Sequence, residues 1–175
     1  MPASSRKSPE ILGEGRYLKL VKEGHWEYAA RVRATGAAAI MAVTEDRKLI
    51  LTIQHRPAVG GDVIDLPAGL VGDEVQFDGE SLVDAARREL IEETGYDADD
   101  LEFLATCPTS PGLCSELVSL FRTTTAKKIA EGGGVDGENI QVQAIPLRQL
   151  RRWLKTQQAA GFLVDLKVYV AIGLL

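Results

Sequence analysis

Several things are scarce in this chain of 175 residues, and each scarcity removes a class of protein. Its two cysteines, Cys107 and Cys114, are too few for the disulfide frame of a small secreted domain. They stand seven residues apart, without the close pairing of a zinc site, and read as free thiols. The two histidines, His25 and His55, have no partner at ligand spacing, so a histidine metal centre is not expected. No apolar run is long enough to cross a bilayer, since the most apolar stretch, 162–175, is interrupted by Asp165 and Lys167. The first eight residues are polar and lack the core of a signal peptide, so a cytoplasmic protein is expected, with no membrane partner. Gly132-Gly-Gly is not followed by Gly-Lys-Ser/Thr, so there is no phosphate loop of the P-loop kind. Ser110 and Cys114 have no evident base beside them, which speaks against covalent nucleophilic catalysis.

What is present is ordinary in bulk and uneven along the chain. With 45% hydrophobic and 26% charged residues, the chain can fill one ordinary domain. A net charge of −5 argues against a general nucleic-acid partner. Residues 61–100 hold thirteen Asp/Glu against two Lys/Arg, whereas residues 1–35 carry a balance of +3. The acidic block is either a solvated face or a site for a hard divalent cation, which prefers carboxylate oxygen.

Composition and periodicity divide the chain into an expected disordered tail over 1–10, a small strand subdomain over 11–35 and a larger domain over 36–175. Apolar-polar alternation predicts two strands between Arg16 and Arg33 around Glu23-Gly24, and a buried hairpin from 37–43 and 49–54. Further strands are expected over 63–66, 101–107, 116–121 and 140–145. Three helices are expected: 81–94, capped by Ser81 and stopped by Gly95; one beginning at Pro146; and one from Asp165 onward. Strands mixed with outer helices predict an α/β (α+β) sandwich.

The 81–94 helix is unusual. With Leu82 at zero on the helical wheel, Ala86, Leu90 and Val83 at roughly 40°, 80° and 100° form the apolar stripe. Glu93 and Glu89 fall at roughly 20° and 340°, on the edge of that stripe. Like charges four residues apart repel, and burying them unpaired costs far more, so either a shared cation or arginines from elsewhere must offset both. Arg88 can pair with Glu92 at i+4.

The run Arg88-Glu-Leu-Ile-Glu-Glu-Thr-Gly-Tyr96 resembles the second half of the Nudix box, R-E-U-x-E-E-x-G-U, where U is aliphatic or aromatic. Glu80, eight residues before Arg88, stands where the box places a glutamate. The box glycine is matched by Gly69 in Pro67-Ala-Gly-Leu, with five extra residues before Glu80 that carry Asp73, Glu74 and Asp78 into a longer loop. Gln54-His-Arg-Pro-Ala, Ile64-Asp-Leu-Pro-Ala-Gly-Leu and Thr109-Ser-Pro-Gly with Glu116 resemble the ADP-ribose pyrophosphatase and nucleoside-diphosphate-sugar branch of that family. Pro111 lies fifteen residues past Tyr96, about where that branch has a marker proline, and Trp26-Glu27 also resembles it.

The resemblance implies a Nudix-type α/β/α sandwich with a mixed sheet, and hydrolysis of a nucleoside-diphosphate sugar. ADP-ribose is the first expectation and an ADP- or GDP-hexose the second. A domain that binds such a nucleotide without cleaving it is the alternative of another class. The resemblance implies Mg²⁺, with Mn²⁺ as a substitute, held by Glu89, Glu92, Glu93 and the backbone carbonyl of Ala68. Gly69, Glu80, Arg88 and Gly95 would be structural parts of the box. Glu138, beyond the Gly132-Gly-Gly loop, would be the general base, with Asp136 or a box glutamate (Glu92 or Glu93) as the alternatives. Tyr17, Trp26 and Glu27 would hold the base or else serve as strand core, and Arg56 would contact phosphate or else pair with the acidic block. Pro111, Gly112 and Glu116 would also face the substrate. Relatives exchange their N-terminal strands, so a homodimer is expected.

Overall fold

The computed structural model describes residues 8–72, 79–135 and 137–175. A three-stranded antiparallel sheet comes first, from β1 (Glu10–Glu14), β2 (Leu18–Glu23) and β3 (Trp26–Arg31) in that order. The two strands around Gly24 match the alternation of the sequence. β1 does not alternate: Ile11 and Leu12 are adjacent, and a bulge between Ile11 and Gly13 shifts its register on β2.

The main domain is a nine-stranded mixed sheet. β4 (Gly36–Thr44) lies between β7 (Ala68–Val71), antiparallel, and β10 (Leu117–Lys128), parallel. β10 also pairs with β9 (Glu102–Pro108) and with the two-residue β8 (Tyr96–Asp97). β5 (Lys48–Arg56) is flanked by β6 (Gly61–Asp65) and β11 (Gln141–Pro146), and β12 (Leu163–Val164) extends the β6 edge in parallel. The buried hairpin expected from 37–54 is therefore open: β4 and β5 pair only at Val43 with Leu49, then separate to take other neighbours. Both strands are apolar on both faces, so each can be covered on two sides and neither needs the other along its length.

Alternation along β4 and β5 sends side chains into two cores. Met41, Val43, Leu49, Leu51 and Ile53 join Leu150 and Leu154 of α2 (Leu147–Ala159) and Val168 and Ala171 of α3 (Leu166–Leu174). Ala38, Ile40, Ala42 and Ile50 join Ala85, Ala86 and Leu90 of α1 (Leu82–Thr94) on the other face. Helices on both faces of a mixed sheet make the α/β/α sandwich. Pro146 ends β11 and precedes α2, one position earlier than the first-turn place expected for it.

The ends of α1 are as the sequence predicts. The Ser81 hydroxyl accepts from the Asp84 N–H at 3.2 Å, and Gly95 closes the helix in the left-handed region at φ 70°. Its buried face differs from the wheel. Leu82 and Val83 are exposed, and the face against the sheet is Ala85, Ala86, Leu90, Glu93 and Thr94. The two alanines bring the helix close to the strands, so the centre of the buried face moves away from the larger side chains of the first turn. A Cβ on Gly95 would meet the Ala130 carbonyl as well as a strained φ. Gly95→Ala is expected to lower the melting temperature by roughly 5–10 °C, measurable by calorimetry.

Candidate functional site

The site is built where α1 crosses the β6–β7 bend. Glu93 is only 6% exposed, and its Oε2 accepts a hydrogen bond from the Ala68 N–H at 3.0 Å. Burial pushes its carboxyl up to about 8; the Ala68 N–H opposes that rise, Glu89 and Glu138 add to it, and Arg56 pulls it back. Groups from four elements thus act on one buried acid: the Ala68 N–H at the start of β7 by a hydrogen bond, and Glu89 on α1, Arg56 at the end of β5 and Glu138 in the loop before β11 through their charges.

Glu89 sits against Gly69. A Cβ there would overlap the Glu89 carboxylate, so the box glycine is a matter of space at this position. Gly69→Ala is expected to displace Glu89 and lower kcat/KM by about a hundredfold, with the helical circular dichroism unchanged because both α1 caps remain.

Arg88 organises the remaining acids. Its guanidinium donates to Glu80 at 3.2 Å, to Glu89 at 2.8 Å and to Glu92 at 3.0 Å. Burial works against its charge, but the three carboxylates outweigh burial and hold it above its usual range. Glu92 is thus turned toward Arg88. Among the described residues no three His, Cys, Asp or Glu side chains are gathered as a ready-made metal cage. The groups around Arg88 are carboxylate oxygens, an acidic surrounding that one arginine only partly neutralises. That chemistry fits Mg²⁺, which keeps several waters and needs few protein ligands.

The other predicted residues are placed less centrally. Tyr17 and Trp26 are 65% and 56% exposed, Tyr17 under the Arg16 guanidinium and Trp26 beside the His25 ring. Among the described residues no hydrogen bond or ion pair joins Tyr17, Trp26 or Glu27 to the α1 carboxylates. Pro111 and Gly112 are exposed in a turn closed by the Leu113 N–H on the Ser110 carbonyl at 2.8 Å. Glu116 is held by Arg31, at 2.6 Å and 2.7 Å from its two guanidinium nitrogens. Beside that ion pair the free edge of β3 joins the same loop, with the Ala29 N–H donating to Leu113 and the Ser115 N–H to Ala29. Asp73, Glu74, Asp78 and Asp136 lie outside the described residues.

Two residues in buried or half-buried ion pairs escaped the sequence. Arg31 had no signal, because its partner is 85 residues away. Asp65, in the quoted Ile64-Asp-Leu-Pro run, is buried at the end of β6 and bound by Lys167 at 2.9 Å, which also reaches Asp165 at 2.8 Å. Burial pushes the Asp65 carboxyl up against the pull of Lys167. An acid between the apolar Ile64 and Leu66 was the available clue.

The NUDIX domain family matches residues 33–166. The ADP-ribose pyrophosphatase of Bacillus subtilis is 30% identical over 73% of this chain and 66% of its own length. The GDP-mannose pyrophosphatase of Cronobacter sakazakii is 34% identical over 67% of this chain, and 62% of its own length is spanned. The methanol dehydrogenase activator of Bacillus methanolicus is 28% identical over 93% of this chain and 87% of its own. A solved ADP compounds hydrolase superposes with a TM-score of 0.62 at 22% identity, over 89% of this chain and 98% of that one, which speaks to the fold. No helix among the described residues is long and apolar enough to cross a membrane. The chain belongs to the NUDIX family, as a hydrolase related to the ADP-ribose and GDP-mannose pyrophosphatases.

Proposed function

We propose that the protein is a cytoplasmic, Mg²⁺-dependent pyrophosphohydrolase that cleaves ADP-ribose to AMP and ribose 5-phosphate, or a related nucleoside-diphosphate sugar to its two monophosphates. The observation that carries this reading is Glu93, a buried acid on the same helix as Glu89 and Glu92, with one arginine, Arg88, shared among Glu80, Glu89 and Glu92. Such an arrangement is costly unless the acids hold a cation. Glu89, Glu92, Glu93 and the Ala68 carbonyl would hold Mg²⁺, or Mn²⁺ in its place, which when bound screens the diphosphate and activates water for in-line displacement.

The chain's own groups divide the remaining work. Arg88 keeps Glu89 and Glu92 oriented, and Glu80 shares the load on its guanidinium. Arg56 offers a two-pronged contact to a phosphate oxygen. Glu138 takes the proton from water as the new phosphorus–oxygen bond forms, and the bridging oxygen leaves with the departing monophosphate. Pro111, Gly112 and Glu116 line the sugar side, where Arg31 holds Glu116 in one orientation.

Tyr17, Trp26 and Glu27 would bind the nucleobase as part of a homodimer in which residues 11–35 exchange. The exposure of both aromatics supports this reading, and so does the cationic balance of residues 1–35 opposite the acidic block over 61–100. A nucleoside-diphosphate hexose is the second reading, favoured by the relatives named GDP-mannose pyrophosphatase.

The test is hydrolysis in millimolar Mg²⁺ of ADP-ribose, ADP-glucose, GDP-mannose and a dinucleoside tetraphosphate, with products separated by chromatography. One sugar conjugate is expected to be turned over far faster than the rest. Tight binding of one nucleotide without cleavage of any would replace catalysis with a binding role.

A further inference from the structure

The glycine-rich segment after β10 has the composition of a mobile loop and the bonding of a fixed one. The last turn of a helix leaves carbonyls without partners inside the helix. In α1 two of them are taken by this segment: the Gly133 N–H donates to the Glu93 carbonyl at 2.8 Å, and the Gly134 N–H to the Glu92 carbonyl at 3.1 Å. Just upstream, the Ile129 and Ala130 N–H groups both donate to the Gly95 carbonyl, at 2.8 Å and 3.0 Å. The far end is closed by the Ile140 N–H on the Gly133 carbonyl at 3.2 Å and by the Glu138 N–H on the Val135 carbonyl at 3.0 Å. The Val135 N–H also lies 3.4 Å from Glu138 Oε2.

The glycines serve contact as much as conformation. A Cβ on Gly132 would overlap the Thr94 backbone. One on Gly134 would lie 2.6 Å from Glu138 Oε2 and 2.7 Å from the Glu138 Cβ. All three glycines have positive φ, at 74°, 113° and 85°. Glycine at 132 and 134 therefore lets a backbone and a carboxylate side chain pack where any other residue would hold them off. The two carbonyls that accept the segment belong to Glu92 and Glu93, the same residues whose carboxylates lie at the site.

We propose that residues 132–134 form a strap that fixes Glu138 against the last turn of α1 before substrate arrives, so that Gly132, Gly133 and Gly134 are positioning residues and no loop closure is needed to bring Glu138 in. The kinetic part rests on the reading of Glu138 as the base; the structural part does not. A lid would have to break the bonds to α1 in every cycle, whereas the strap keeps Glu138 and the α1 acids as one unit.

Amide hydrogen exchange on the full chain tests the structural part. In the free protein the Gly133 and Gly134 amides are expected to exchange at least about a hundredfold more slowly than in an unfolded chain, with little further slowing when AMP and Mg²⁺ are added. Exchange near the unfolded rate in the free protein, with protection appearing only with AMP, would overturn the strap. Kinetics test the positioning. Gly134→Ala is expected to lower kcat at least about tenfold with KM within about threefold, and Gly134→Ala/Glu138→Gln to be no slower than Glu138→Gln alone. Losses that multiply would show that Gly134 does not act through Glu138. Full kcat in Glu138→Gln would remove Glu138 as base, and the exchange result alone would then decide the strap.

Discussion

Glu93→Gln is expected to abolish hydrolysis, by about a thousandfold or more, while making the metal-free protein more stable at neutral and alkaline pH. The two effects share one cause. Burial, with the charges of Glu89 and Glu138 adding to it, pushes the Glu93 carboxyl pKa up to about 8 from an ordinary 4.5. A carboxyl whose value is raised by folding takes up a proton in the folded state. No penalty exists below pH 4.5. Between 4.5 and about 8 the metal-free fold loses up to about 1.4 kcal/mol per pH unit, because the unfolded chain gives up a proton that the folded chain must keep. Glutamine has the same shape, keeps an acceptor for the Ala68 N–H and carries no charge. Urea denaturation of the metal-free protein from pH 5 to 9 should therefore fall with pH for the parent and stay flat for the variant. Activity in Mg²⁺ should vanish in the variant. A variant that hydrolyses within tenfold of the parent, or that is less stable at pH 9, would remove Glu93 from the centre of the site.

Much of this site was legible because it is local in sequence. Ser81, Asp84 and Gly95 delimit α1 through bonds spanning at most four residues, and Arg88 reaches Glu92 within one turn. What lay beyond reading was set by tertiary placement. The wheel put Leu82 and Val83 in the buried stripe, yet the helix packs through Ala85 and Ala86, because close approach to the sheet favours small side chains there. Glu93 accordingly moved from the edge of the stripe into the buried face. β8 and β12 are two residues each, too short for any periodicity to show, and exist only because β10 and β6 offer an edge.

The glycine loop is the instructive case. Three consecutive glycines read as freedom when only composition is known, since glycine accepts positive φ at no steric cost. The contacts they make with Thr94 and Glu138 give the same residues an opposite meaning. Glu116 carries a similar lesson: its position in the sequence points toward substrate, and its oxygen is bound to Arg31. Neither fact can be derived from spacing, because both partners are brought in by the sheet.

Arg88→Gln should be the most damaging single change to stability, and divalent metal should repair part of it. The guanidinium is 17% exposed and lies between three carboxylates, of Glu80, Glu89 and Glu92. Removing one partner of a largely buried ionic cluster leaves the others desolvated and mutually repelling, at a cost of about 3 kcal/mol or more. For a chain of this size that corresponds to roughly 6–12 °C in melting temperature. Glu89 cannot relax far, since its carboxylate packs on Gly69. Three treatments should each restore stability by supplying positive charge: Mg²⁺ at the same carboxylates, a fall in pH below the carboxylate range, and Arg88→Lys in place of glutamine. Lysine should do so only in part, because a point charge cannot meet three separated carboxylates with the geometry of a fork. Thermal melts of the parent and both variants with and without Mg²⁺, at a pH near 3.5 and near 7.5, measure all three. If Mg²⁺ stabilised the parent and the glutamine variant by equal amounts, the acids around Arg88 and the ions bound by the protein would be independent, and the picture of one shared carboxylate cluster would have to be given up.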